Sequence, residues 1–157
     1  MFREMRRKKQ KLTEKQCIDI LKRAKTATLA LRDDGYPYSV PVNYVYLDGK
    51  IYFHGAKSGH KIDAIKNNPK VSISIIDQED VIEEELTTYF RSIILFGKAK
   101  ILQDDDEIYQ AVNALGLKYC DDEIAVEKEI QREWKALCCV EIIIEHLTGK
   151  QAIELVK

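Results

Sequence analysis

Lys57-Ser58-Gly59-His60-Lys61, three residues beyond His54, gathers side chains suited to holding an anion. Lysine and histidine bring donors and positive charge, glycine allows close backbone approach, and serine can accept a bond from a free N–H at a helix start. The residues that follow, Ile62 to Asn67, read as a short helix from Ser58 that Asn68-Pro69 ends. A strand, a small-residue loop and a cationic helix start would set free N–H groups and the positive end of the helix dipole around a phosphate. Walker A and G-x-G-x-x-G patterns are absent, so nucleotide hydrolysis and Rossmann-type binding gain no support. On this local pattern alone, anion binding and an ordinary capped helix with solvated lysines stand level.

Other chemistries lack parts. His54, His60 and His146 offer no evident third ligand, so no metal site is expected. There is no G-x-S-x-G elbow, and no Cys–His pair stands out. The acidic runs Asp77–Glu85 and Asp104–Glu107 read as a solvated loop and as helix N-terminal charge. Tyr36, Tyr38, Tyr44, Tyr46, Tyr52 and Phe53 crowd the strands before the anion loop. Aromatics on strands are usually core, but an apolar wall beside a phosphate loop would also suit a flat heteroaromatic ring.

The elements that must position these residues follow from periodicity. Thr13 and Gln16 form a capping-box pair before Cys17, Ile20, Leu21 and Ala24 at helical spacing. Strands are expected at Thr26–Leu31, Tyr38–Tyr46 with Pro41 marking an edge or bulge, Ile51–His54 after the Asp48-Gly49 turn, Val71–Ile76, Tyr89–Leu102 and Leu137–His146. Gly97 inside the fifth of these suggests a bulge or a close backbone approach. Residues 77–88 read as a loop, 104–119 and part of 123–135 as helices, and 147–150 as a terminal turn. Six antiparallel strands joined mostly by hairpins, with peripheral helices, predict a mainly β (α+β) split β-barrel.

The 157 residues suit one domain, 1–157, with 1–11 as a basic arm. Acidic and basic side chains number 26 and 25, so no global field favours nucleic acid. Arg3, Arg6, Arg7, Lys8, Lys9 and Lys11 read as a solvated lead-in to the first helix rather than a nucleic-acid site. No apolar run is long enough for a membrane span. Cys17, Cys120, Cys138 and Cys139 show no C-x-x-C pattern and read as buried free thiols, consistent with a cytoplasmic location.

The order Pro-Val-Asn-Tyr-Val-Tyr (41–46), Asp-Gly-Lys-Ile-Tyr-Phe-His-Gly-Ala (48–56), Gly-His-Lys (59–61) and Asn-Pro-Lys-Val (68–71) resembles the FMN-binding split-barrel proteins related to pyridoxamine 5'-phosphate oxidase. It is most similar to the branch called 5-nitroimidazole antibiotic resistance proteins. Thr-Thr-Tyr-Phe-Arg-Ser-Ile-Ile-Leu-Phe-Gly-Lys-Ala (87–99) and Leu-Thr-Gly-Lys (147–150) fit the same pattern.

The resemblance implies a cytoplasmic homodimer with FMN at the subunit interface, FAD being the alternative cofactor. Val40, Pro41, Val42, Asn43 and Tyr44 would present backbone groups to the isoalloxazine edge. His54, Gly55 and Ala56 would lie along the ring and ribityl chain. Ser58, Gly59, His60 and Lys61 would surround the phosphate, and Arg91 and Ser92 would approach from the partner chain. Trp134 is a candidate cover for the ring. No catalytic residue is assigned; His54 is the first candidate. The paired arginines of true pyridoxamine-phosphate oxidases are replaced here by histidine and lysine, which argues against vitamin B6 oxidation. The implied activity is flavin-dependent reduction of small electron-poor compounds such as nitroimidazoles. The alternatives are a non-enzymatic flavin-binding, storage or sensor protein and a haem-binding split-barrel protein.

Overall fold

Gln16 donates its backbone N–H to the Thr13 hydroxyl, and Thr13 returns its own N–H to the Gln16 side chain. This reciprocal cap opens helix α1 (Glu14–Arg23) in the computed structural model, which describes residues 1–157. Seven strands follow: β1 (Thr26–Leu31), β2 (Tyr38–Asn43), β3 (Val45–Leu47), β4 (Lys50–Ala56), β5 (Lys70–Ile82), β6 (Thr87–Ile101) and β7 (Leu137–Gln151). Helix α2 (His60–Asn67) separates β4 from β5, and α3 (Asp105–Tyr119) and α4 (Glu123–Glu133) lie between β6 and β7. All strand pairs are antiparallel, in the order β2-β1-β5-β6-β7-β4-β3.

The strand count is seven, not six, because the segment Tyr38–Tyr46 breaks at Tyr44. Its first part pairs with β1 and its second with β4, so the two halves lie at opposite edges of one sheet. Asn43 and Val45 are only two residues apart, which caps their separation at about 7 Å. The sheet must therefore curl until its edges meet at Tyr44. No hydrogen-bonded ladder joins β2 to β3, and the result is an open half-barrel.

Other boundaries also move. Residues 77–88 are not a loop: β5 runs to Ile82 and β6 starts at Thr87, with a short 3-10 turn between them. The terminal segment 147–150 is not a turn but a continuation of β7 against β6. Composition hid the first, since Glu79, Asp80 and Glu83–Glu85 face solvent along the β5–β6 ribbon and its tip. The expected irregularity at Gly97 is present, with the β6–β7 register shifting between Phe96 and Gly97. A Cβ at Gly97 would lie 2.4 Å from the Ile143 carbonyl oxygen, so only glycine permits that approach.

Inward positions build the main core from Leu29, Phe53, Ile73, Leu95, Val140 and Ile142, plugged by Ile20 and Leu21 of α1. A second cluster, including Leu102, Val112, Val126, Ile130 and Cys139, seats the α3–α4 hairpin on the sheet. Cys17, Cys138 and Cys139 are buried thiols, whereas Cys120 is exposed, contrary to expectation. The root of the basic arm is docked: buried Gln10 donates to the Gln151 carbonyl at 2.8 Å, and Lys11 bridges to Lys150. Its cationic side chains stay exposed.

Candidate functional site

A cavity of about 600 Å³ opens between the β2–β4 side of the half-barrel and the α3–α4 hairpin. Pro41, Val42, Asn43, His54 and Lys61 enter its walls from the sheet side, so residues from three of the expected segments converge there. The opposite wall is mostly apolar, with Val112, Leu115, Val126 and Ile130 set at helical spacings on α3 and α4. Cys120, at the end of α3, also reaches the cavity.

Each sheet-side contribution has a local cause. β2 is an edge strand bonded only to β1, so it has backbone groups along its free side. Pro41 is tolerated there because an edge strand needs fewer ladder donors. Val42 is buried, Val40 half-buried, and Pro41 and Asn43 are exposed toward the cavity side. Tyr44 does not line the cavity: it is fully buried and its backbone N–H and carbonyl are engaged by Tyr119 and Lys118 of α3.

His54 is accessible within this concave wall yet surrounded by protein. Desolvation lowers its pKa below the ordinary histidine value, partly opposed by the charges of Glu129 and Glu133 across the cavity. Its imidazole is therefore neutral near pH 7. Gly55 and Ala56 continue β4 beyond His54, outside the cavity walls.

The anion loop differs from expectation in its capping. Ser58 does not cap the helix; the N-cap is Gly59, and no side chain bonds the first-turn N–H groups of α2. Gly59 has φ 135° and ψ 177°, a region open essentially to glycine alone. Lys61 is half-buried, lines the cavity and takes part in no ion pair. An uncapped helix start with a free lysine suits an anion. His60 turns away from it: its ring stacks on Tyr38, with centroids 4.0 Å apart, and its Nε2 pairs with Asp33 in the β1–β2 turn. The pairing with His60 is also the main cause of the lowered Asp33 pKa.

Arg91 and Ser92 are not brought to this cavity. Neither lines its walls, although Pro41 of those walls is level with Ile94 of β6 across β1 and β5. Arg91 is instead held among Asp77 (3.6 Å), itself gripped by Arg23 at 2.7 Å, and Gln151 (3.3 Å). Trp134 does not cover the cavity either; it lines a separate one on the far side of Leu137. His146 stacks with Phe2 on the outer sheet face, so His54 is the only histidine facing the cavity. No group of three or more metal-ligating side chains is present.

Sequence reasoning missed the whole α3–α4 wall, including Glu129 and Glu133. The available signal was their i, i+4 spacing beside Val126 and Ile130, which sets the two acids next to an apolar stripe.

A family model described as Pyridoxamine 5'-phosphate oxidase matches residues 13–151. Uncharacterized protein RA0666 of Rhizobium meliloti (strain 1021) is 32% identical over 66 residues, which are 42% of this chain and 43% of that protein. The match thus spans less than half of that relative's length. Conserved hypothetical protein Rv2991 of Mycobacterium tuberculosis has a similar solved structure, with a TM-score of 0.82 at 19% identity, over 97% of this chain and 92% of that one. A proposed 5-nitroimidazole antibiotic resistance protein of Bacteroides thetaiotaomicron VPI-5482 gives 0.74 at 21%, over 90% and 86%. A FAD-binding protein of Mesorhizobium loti gives 0.68 at 22%, over 90% and 96%. At these identities the structural likeness is one of fold. No helix is long and apolar enough to cross a membrane.

Proposed function

The chain belongs to the pyridoxamine 5'-phosphate oxidase family, and from that premise we propose that it binds FMN non-covalently and reduces small electron-poor compounds such as nitroimidazoles. One observation carries the reading: Pro41–Asn43 of β2, His54 of β4 and the unpaired Lys61 of α2 meet in one apolar-walled cavity. Its volume lies within the range of small-molecule sites, roughly 300–1,000 Å³. The residues fit a flavin phosphate and ring. Lys61 and the uncapped N–H groups after Gly59 would hold the phosphate. The free edge of β2 would supply backbone groups to the ring, and the apolar Val112, Leu115, Val126 and Ile130 would keep water from it. When bound, the flavin supplies the electron transfer. His54, neutral and within the cavity, is the residue placed to donate or accept a hydrogen bond there.

The second half of the site is assigned to a second copy of the chain. Arg91 and Ser92 do not line the cavity that Lys61 enters. Beside Ser92, the outer face of β5 and β6 exposes Ile76, Ile94 and Phe96, an apolar surface suited to self-association.

The test is titration of the purified full chain with FMN, followed by anaerobic reduction and addition of a nitroimidazole. Saturable quenching of flavin emission, with reoxidation faster than by air alone, is the expected result. Lys61→Ala should weaken binding by about 1.5–3 kcal/mol through loss of a charge-assisted contact. A protein that leaves FMN emission unchanged overturns the proposal. Binding without accelerated reoxidation leaves a non-enzymatic flavin carrier.

A further inference from the structure

A second cavity, of about 540 Å³, lies on the other side of Leu137, which lines both. Its walls combine an aromatic plate, Trp134, with Ile62, Ile101, Leu102 and Ile108, and three lysines stand around it: Lys57, Lys66 and Lys135. Asp105 is the only acid among the lining residues. None of the three lysines, nor Asp105, forms an ion pair within the chain. Exposed surface lysines alone would carry little weight, since charged side chains ordinarily point into solvent. Here they surround an apolar, tryptophan-walled hollow, and their charge is uncompensated three to one.

Lys57 and Lys61 divide between the two hollows. They flank the Gly59 loop, yet Lys61 enters the first cavity and Lys57 the second. The cations of the second are therefore not spent on the flavin phosphate proposed for the first. Low local polarity strengthens an ion's attraction, and a flat apolar body beside Trp134 would exclude water from that charge.

We propose that this second cavity binds a planar, apolar organic anion of the aromatic carboxylate class, its ring against Trp134 and its carboxylate toward Lys66, Lys135 and Lys57. The two sites share the Leu137 wall but no cation, so they fill independently.

Trp134 is the only tryptophan of the chain, so its emission reports directly on this cavity. The full-length protein is titrated with benzoate, with benzamide as the uncharged analogue and with inorganic phosphate as the ringless anion, each before and after FMN loading. A saturable change of Trp134 emission with benzoate is expected in both forms, with benzamide and phosphate at least tenfold weaker. Lys66→Ala and Lys135→Ala should each weaken benzoate roughly three- to tenfold, and Lys66→Arg should restore it. Both lysines are exposed, so these variants fold. Equal response to benzamide shows a mere apolar hollow, equal response to phosphate a mere cationic patch, and no response an empty one; each overturns the proposal. Loss of the benzoate signal on FMN loading places the anion in the first cavity and overturns it too. Because the titration is read without flavin as well, failure of FMN to bind leaves this test intact.

Discussion

The Tyr119 hydroxyl accepts a 3.1 Å hydrogen bond from the backbone N–H of Tyr44, the single residue that joins the two edges of the sheet. The same hydroxyl donates to the Lys25 carbonyl. Lys118, one residue earlier, donates to the carbonyls of Tyr44 (2.9 Å) and Ala24 (2.5 Å) and sits 3.8 Å from the centre of the Tyr44 ring. The end of α3 thus satisfies backbone groups where the barrel has no ladder to satisfy them. Tyr44 reaches inward to donate its own hydroxyl to the Leu21 carbonyl at 2.7 Å, tying the seam to α1.

Tyr119→Phe should therefore cost about 1–3 kcal/mol, because it leaves the N–H of a fully buried residue without its partner. Urea unfolding checks this. A change within a few tenths of a kcal/mol would mean that another group takes over the Tyr44 N–H.

Gly59→Ala isolates the backbone of the anion loop. No atom stands within 4 Å of the added Cβ, so the cost is conformational rather than steric. At φ 135° and ψ 177° it should be about 1–3 kcal/mol, unless the loop shifts to escape it. A shifted loop moves the N–H groups that follow, and a retained one sets a methyl beside the proposed phosphate, so FMN affinity should fall in either case. Paired thermal unfolding and FMN titration measure both; unchanged affinity would remove this loop from the cofactor site.

Much of the half-barrel was legible because two periods, helical and alternating, point to the same core. The capping box at Thr13, the Pro41 edge and the Gly97 irregularity all rest on local stereochemistry that a single chain segment fixes. Three things were not local. Whether Tyr44 continues a strand or breaks it depends on which distant strands accept its two sides. The length of the β5–β6 hairpin depends on pairing partners that acidic composition disguises. The apolar stripe of α3 and α4 reads only as "buried", without saying that a cavity lies beneath it. His60 is the sharpest case: at a helix start it looks poised for phosphate, but Asp33 and Tyr38, from another hairpin, claim its ring.

Asp77 should mark the acid limb of stability. Its bond to Arg23, and secondarily the charge of Arg91, holds its carboxyl below the ordinary aspartate value. A carboxyl more acidic in the folded than in the unfolded chain contributes stability above the unfolded pKa, near 4, and loses it as pH falls through the folded value. Unfolding midpoints measured from pH 6 down to 2 should therefore drop more steeply for the native chain than for Asp77→Asn. Parallel slopes would show that the Arg23–Asp77 pair is not maintained in solution.

His54 titrates in the opposite setting, a base whose charge is disfavoured by desolvation. Its folded pKa lies below the usual histidine value, so its contribution to stability is complete above about pH 6.5 and is lost as pH falls through the folded value. Glu129 and Glu133 oppose the shift. Replacing either with glutamine should lower the His54 pKa further, as followed by its imidazole proton resonances. An unmoved His54 would mean that the α4 acids do not face it across the cavity.

The last prediction concerns the division of the proposed flavin site between two chains. Lys61 lines the cavity and Arg91 does not, and the proposed site takes Lys61 from one copy and Arg91 from another. Lys61→Ala and Arg91→Ala homodimers should each bind FMN poorly, since every site in either lacks one cation. Mixed after unfolding and refolded together, the two variants should form hybrid dimers in about half of all pairs. Each hybrid carries one site with both replacements and one with neither, so about a quarter of all sites should regain native affinity. Sites built within a single chain would gain nothing from mixing, because every chain would still carry its own defect. FMN titration of the mixture against the separate variants reads the difference directly, and a mixture no better than its components would return Arg91 to a structural role beside Asp77 and Gln151.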